Sequence, residues 1–541
     1  MSSEADVRAG CALSRELRVV VRVDVRLRWR APKGGGAESA LTRAQASRRA
    51  REATAVALAH RSLRYVDGPL DTPALEAVRA AAGPALGGMV DDVSVVDSDA
   101  SSPHHGSVLL FFQRTLRVAA YAPVDENEPL FAAEGGSEPS CARPPVEQEP
   151  FGSLLGGVGA DDRDSLSAED SPATDIGGDA LLKVRPLPST QLCGLWDSLH
   201  YSGGLKQRLL RYASSSAELA RTGASSMLVS RSGLILLHGP PGSGKSSLAR
   251  ALAQKLAIWH VGGSRQEELN DSGVALFAGA EVATATLYEI NAAQCMSKFL
   301  GESSKTLQRA FARVRDDLRV RPNTLAVVLV DEADALAISR AHSLSAADPG
   351  DAARVTGTLL RELDALAELQ GTLVLATSNL ANDLDGAFLD RADLSERIGN
   401  PELRARYGIL RSEVVELTRV GLVGATTGRQ QLLPLVWGTF QDSSPQEFEC
   451  GGIDQSHDRR LRADELKEQR DNSVALLEVA TILGGVSGRA LRRLPLLAHA
   501  ETRTCEYMGR GWVSMKDLIA SLHTAAEIAS SRARCKRDNG I

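Results

Sequence analysis

Nowhere in the 541 residues does an apolar run approach the roughly 18 uninterrupted residues needed to cross a bilayer, so no membrane-spanning segment is expected. CxxC pairs are also missing. The seven cysteines, Cys11, Cys141, Cys193, Cys295, Cys450, Cys505 and Cys535, are scattered and odd in number. That excludes a zinc knuckle and a disulfide framework and fits reduced thiols in the cytosol or nucleus. Aromatic residues are only 4% of the chain, which leaves Leu, Val and Ala to build the cores. Neither sign of charge dominates: 62 basic against 68 acidic residues give −6, no whole-chain case for nucleic-acid binding. The N-terminus lacks an apolar signal core, and Glu4, Asp6, Glu16 and Asp24 argue against reading its arginines as a mitochondrial presequence. There is no internal repeat.

What is present divides the chain. LRVVVRVDVRLRW (Leu17–Trp29) alternates charged with apolar residues, the period of a half-buried strand. Thr42 to Leu63 has helical character, and Val108 to Tyr121 reads as a strand or hairpin. Residues 1–131 are therefore expected to form an α+β domain, with nothing in it that looks catalytic. Gly, Ser, Pro, Asp and Glu then dominate, too polar a composition to offset chain entropy, so 132–186 reads as a flexible acidic linker. Over 187–400 short apolar runs (Leu234–Leu237, Leu325–Val330, Gly371–Thr377) alternate with helical patterns such as Ser247–Leu256, which argues for a parallel sheet covered by helices. Residues 401–541, with helical stretches at Ser473–Ile482 and Gly488–His499, read as a helical subdomain.

The segment Gly239-Pro240-Pro241-Gly242-Ser243-Gly244-Lys245-Ser246-Ser247 follows an apolar strand and opens a helix, the context a P-loop requires. Its glycines adopt backbone conformations closed to other residues. Their N–H groups and the helix N-terminus can surround phosphate oxygens of ATP. Lys245 would sit against the β- and γ-phosphates, and the Ser246 hydroxyl would complete Mg²⁺ coordination. The next strand ends in Asp331-Glu332, at the edge where open α/β sheets bind ligands. Alone the pair could equally cap a helix. After a P-loop it reads as catalytic, Asp331 holding Mg²⁺ through water and Glu332 polarising the attacking water. Asn379 ends the third strand, where it could orient that water or simply sit in a turn. Arg391, in FLDRAD, and Arg489, in VSGRALRR, are candidates for a cation at the γ-phosphate. By chemistry alone neither stands out in a chain rich in arginine.

The order of these motifs resembles an AAA+ module. LLHGPPGSGKSSLARALAQKL (Leu236–Leu256), LYEINAAQCMSKFLGESSKTLQRAF (Leu287–Phe311), VVLVDEADALAISR (Val327–Arg340), TSNLANDLDGAFLDRADL (Thr377–Leu394) and GGVSGRALRRLPLLAHA (Gly484–Ala500) are similar to the pachytene checkpoint ATPase family, the thyroid-receptor-interacting AAA+ proteins. Upstream, LCGLWDSLHYSGGLKQRLLRY (Leu192–Tyr212) is similar to the segment that in this family lies beside the adenine. The resemblance implies an α/β large ATPase domain, a small helical lid, and an N-terminal α+β substrate-recognition domain. It implies a homohexameric ring that uses ATP and Mg²⁺ to remodel HORMA-domain proteins of the spindle checkpoint and meiotic chromosome axes, often through an adaptor. It gives Arg391 the role of arginine finger in trans and Arg489 that of a cis arginine that reads nucleotide and moves the lid. Lys298, Phe299 and Leu300 match the pore loop that grips substrate, with Leu300 where the family usually has a second bulky aromatic. Without the resemblance, Phe299 reads as a core aromatic on a helix. A nuclear and cytoplasmic location follows from the family, and neither a membrane nor direct nucleic-acid contact is expected. The competing reading is a DNA-acting AAA+ motor or loader, for which Arg-rich strands near the N-terminus could meet phosphates.

Overall fold

The computed structural model describes residues 19–28, 43–59, 61, 63–64, 68–96, 108–109, 114–121, 123, 181–201, 204–222, 231–262, 266–269, 274–278, 284–295, 302–321, 324–337, 349–380, 383–424, 456–502 and 513–538. The strands of its two main sheets are β1 (Val19–Leu27), β2 (Gly68–Pro69), β3 (Val90–Val96), β4 (Arg114–Tyr121), β5 (Leu182–Leu187), β6 (Leu234–His238), β7 (Gln266–Leu269), β8 (Val274–Ala278), β9 (Thr284–Asn291), β10 (Thr324–Asp331), β11 (Thr372–Ser378) and β12 (Ala392–Arg397). The helices used below are α1 (Arg43–Leu58), α2 (Thr72–Gly87), α3 (Leu205–Thr222), α4 (Lys245–Gly262), α5 (Glu302–Val320), α6 (Pro349–Ala367), α7 (Leu403–Arg419), α8 (Ser456–Ile482), α9 (Gly488–Leu491), α10 (Leu494–Thr502) and α11 (Met515–Asp538).

The larger sheet runs β12-β6-β11-β10-β9-β5, parallel except for β5, which pairs antiparallel with β9 at one edge. Its inner strands are continuous apolar runs because both faces are covered. Leu234, Leu236, Val328, Val330, Val374 and Ala376 pack against Leu307, Phe311 and Val314 of α5 and Leu359 of α6. The alternate residues Ile235, Leu237, Val327, Leu329, Leu373 and Leu375 pack against Leu248, Leu252 and Leu256 of α4 and Leu209 and Leu210 of α3. This two-sided burial leaves the carboxyl ends of β6, β10 and β11 together at one edge, where a ligand site is expected.

The N-terminal sheet runs β2-β3-β1-β4-β8-β7. Val23, Val25 and Leu27 of β1 meet Ala46, Ala50, Ala55 and Leu58 of α1 in a core of small residues. The stretch Val108–Tyr121 is split: Val108–Leu109 pairs with Leu63–Arg64, and only Arg114–Tyr121 joins this sheet. Two differences from the sequence reading concern boundaries. The acidic linker was expected to run to 186, but Leu182–Leu187 is a strand of the ATPase sheet; 132–180 lies outside the described residues. The span 187–400 does not stay within one sheet, because β8 pairs in parallel with β4 and lends β7 and β8 to the N-terminal sheet. Those runs of four and five residues carry no signal that names their partner.

Helices α7, α8, α10 and α11 close the C-terminal subdomain around Leu410, Val414, Leu476, Val479, Leu494, Leu518 and Leu522. Its described residues also include a short parallel pair, Val423–Gly424 with Val513–Ser514. The helical stretch expected at Ser473–Ile482 begins earlier, at Ser456.

Candidate active site

The loop between β6 and α4 leaves the sheet through Gly239, Gly242 and Gly244, all at positive φ (143°, 78° and 94°). Space as well as dihedral angle demands glycine. A Cβ on Gly239 would stand 2.1 Å from the Ile398 carbonyl oxygen, and one on Gly244 would stand 2.6 Å from Tyr201 Oη. Gly239→Ala therefore forces both strain and overlap, and we expect it to destabilise the fold by about 1–3 kcal/mol, read as a lowered Tm.

Lys245, the first residue of α4, donates to the carbonyls of Gly239 (2.7 Å) and Pro240 (2.9 Å) and to Asn379 Oδ1 (2.8 Å). Burial holds its ammonium below the ordinary lysine value, with Asp334 and Asp331 acting in opposition. The next residue, Ser246, donates to Asp331 Oδ1 at 2.6 Å, and Thr377 donates to the same oxygen at 2.5 Å. Thr377 Oγ1 also accepts from the backbone N–H of Glu332 at 3.1 Å. Glu332 is the only non-glycine at positive φ among the described residues (φ 59°, ψ 46°). The left-handed region is unfavourable for a side chain of this size, and such outliers gather at functional sites.

These groups line one cleft of about 550 Å³, with Pro241, Gly242, Ser243, Gly244 and Ser247 along its floor and the lid above. A volume of that order suits a nucleotide-sized ligand. Arg489 belongs to the lid. Its backbone N–H donates to the Gly242 carbonyl at 3.0 Å, and Ser487 caps the short helix α9 that carries it. The lid is thus tied directly to the phosphate loop.

Arg391 is elsewhere. It is not among the residues lining the cleft, and its guanidinium makes a two-toothed pair with Asp364 of α6, Nε to Oδ1 at 2.8 Å and Nη2 to Oδ2 at 2.9 Å. Lys298, Phe299 and Leu300 lie outside the described residues.

Four contributors escaped the sequence reading. Thr377 stands two residues before Asn379 on the same strand face, so the period of the strand could have found it. Arg250, one turn after Ser246 on α4, lies 3.6 Å from Asp331 Oδ2 and donates to Glu289 Oε2 at 2.9 Å. His200 and Tyr201 line the cleft beside the loop, Tyr201 donating to the Ser243 and Gly244 carbonyls at 3.3 Å each. The His200 imidazole lies over Gly408, where a Cβ would stand 2.9 Å from its Cγ, and its Nε2 is buried without a protein hydrogen bond.

Burial pushes the His200 pKa down to about 4, helped by Lys206 and Arg492. A folded-state value below the unfolded one means the unfolded chain binds the extra proton. This contribution is complete above pH 6.5 and is lost as the pH falls through the window toward 4. We expect wild-type stability to fall across that window by up to about 3 kcal/mol, and His200→Gln to flatten the slope in denaturant titrations at pH 7 and 4.5.

The model of the ATPase family associated with various cellular activities (AAA) matches residues 235–400, and that of the TRIP13-like AAA+ ATPase lid C-terminal domain matches 402–528. With the sheet order, the phosphate loop, the acidic pair and the lid described above, they define the chain as an AAA+ ATPase, an enzyme that hydrolyses ATP. The pachytene checkpoint protein 2 homolog of Oryza sativa subsp. indica is 34% identical over 440 residues, 81% of this chain and 76% of that protein. The Arabidopsis thaliana homolog is 37% identical over 336 residues, 61% of this chain and 65% of that protein. The solved structure of C. elegans PCH-2 superposes with a TM-score of 0.60 at 20% identity, covering 95% of this chain and all of that one, a likeness of fold. The chain belongs to the pachytene checkpoint protein 2 family.

Proposed function

We propose that this chain assembles into a homohexameric ring and uses Mg²⁺-dependent ATP hydrolysis to remodel HORMA-domain proteins, in nucleus and cytoplasm. The observation that carries it is the division of the machinery. The cleft gathers Lys245, Ser246, Asp331, Glu332, Asn379 and Arg489, while Arg391 lies outside it on Asp364, from which it would be exchanged to serve a neighbouring subunit. In the cleft Lys245 and the loop N–H groups bind the phosphates, and Arg489 couples their state to the lid. Hydroxyl and carboxylate oxygens of Ser246 and Asp331 are the hard donors Mg²⁺ takes, and a site with few protein ligands suits an ion that keeps several waters. Held there, Mg²⁺ would supply charge neutralisation at the phosphate oxygens. Thr377 holds Asp331 in place, Glu332 takes the proton of the attacking water, and Asn379 orients that water. Lys298, Phe299 and Leu300 grip the substrate chain. Support for the substrate comes from family membership and from the match of motifs over most of the ATPase region.

The alternative, a DNA-acting motor, rests on arginines near the N-terminus, several of which already have partners within the protein. Arg22 lies over the Trp259 ring, and Arg26 and Arg28 pair with Asp91. The test is ATPase rate against protein concentration, with and without a purified closed-form HORMA protein. The rate per subunit should rise with concentration and with the HORMA protein. Turnover indifferent to both but raised by DNA would reject this reading.

A further inference from the structure

Strand β1 alternates Val23, Val25 and Leu27 with Arg22, Asp24 and Arg26, and the first set faces α1 and the N-terminal core. A solvated second face would be the ordinary outcome of such a pattern. Here that face is covered by the phosphate-loop helix. Lys255 of α4 donates to Asp24 Oδ2 at 2.7 Å, and the two side chains are only 5% and 6% exposed. Around the pair, Ala119 and Tyr121 of β4 pack on Ile258 and Trp259 of α4, and the Arg22 guanidinium lies 5.3 Å from the Trp259 ring centroid. The chain that leaves α4 then returns to pair β8 with β4, so the helix and the strands that follow it both hold the N-terminal sheet.

The two ends of α4 thus do different things. Lys245, at its first turn, belongs to the phosphate loop. Lys255, ten residues on and about 15 Å along the axis, is buried against β1 of the N-terminal sheet. A buried ion pair tolerates little change in geometry, because separating the charges strands both of them away from water. We propose that α4 is a rigid coupling rod between the nucleotide site and the N-terminal domain, with the Asp24–Lys255 pair as its fastening. Phosphate contacts that shift the first turn of α4 move β1 with it. By thermodynamic reciprocity, anything that stabilises one placement of the N-terminal sheet changes nucleotide affinity by the same factor. The inference rests on the nucleotide reading of the cleft but not on the identity of the substrate.

Hydrogen–deuterium exchange on the full chain, with and without Mg²⁺ and a non-hydrolysable ATP analogue, tests it. In the wild-type chain the phosphate loop should gain protection, and β1 amides should change rate in concert by about threefold or more. In the paired variant Asp24→Asn with Lys255→Met, which strands no charge, the loop should keep its response while β1 loses its own, with basal turnover unchanged. The single variant Lys255→Met should show the same loss, and adding Asp24→Asn to it should recover stability but not the coupling. A wild-type β1 blind to nucleotide while the loop is protected overturns the rod. A β1 response that survives in the paired variant overturns the ion pair as its fastening. A loop that gains no protection at all rejects the nucleotide reading, and the rod with it.

Discussion

Replacing Glu332 by Gln is expected to lower kcat by about two to four orders of magnitude, the usual worth of a positioned general base, while ATP stays bound. The reason is local. The backbone of Glu332 sits in the left-handed region and its N–H is held by Thr377, so the residue is fixed by contacts that do not involve its carboxylate. Gln keeps the size and the backbone contacts and removes only the capacity to take a proton. Single-turnover phosphate release should therefore collapse while nucleotide affinity changes little. Sustained hydrolysis by the variant would remove Glu332 from this role.

Arg391→Ala should have an effect at least as large, since a trans arginine at the γ-phosphate contributes about 10³–10⁵ in kcat. Its own cleft is complete without it, so nucleotide binding by each subunit should survive. The geometry makes a sharper demand through mixing. In a mixed assembly an Arg391→Ala subunit with intact Glu332 can sit beside a Glu332→Gln subunit with intact Arg391, and the site between them is whole. Two preparations that are each nearly inactive should then regain measurable turnover when combined. Absence of rescue, with mixed assembly verified, would place the finger elsewhere. Asp364 bears on the same experiment: its two-toothed pair with Arg391 is partly exposed, so the finger must exchange that carboxylate for a phosphate.

Most of the ATPase region was legible because its signals are local and stringent. The glycines of the phosphate loop answer to dihedral angle and to atoms as close as the Ile398 carbonyl, and the buried strands had to be continuous apolar runs because both faces are covered. Asp331 and Glu332 could be read because they follow such a run directly. Thr377 was passed over because a threonine at a strand end is ordinary until its hydroxyl is seen to bridge Asp331 and the Glu332 amide. The contacts that escaped are those between residues far apart in the chain. Nothing near Asp24 announces Lys255, and the alternation in β1 read as a solvated polar face because that pattern looks the same whether water or a helix covers it. Nor do the short runs of β7 and β8 reveal that they complete a sheet begun far upstream. Boundary expectations failed for the same reason, since composition marks where a chain is polar but not which sheet recruits its edge.

That recruitment has a consequence during synthesis. Leu116 of β4 is paired with Val274 of β8, so the N-terminal sheet cannot be finished until 158 further residues have been made. At about 5–20 residues per second the ribosome takes roughly 8–30 s to supply them. For that interval β4 emerges with one edge unpaired, and the face of β1 that carries Asp24 waits for α4. The nascent chain is then a natural client for chaperones that bind open strand edges. A translation pause placed between 121 and 274 would lengthen that exposure.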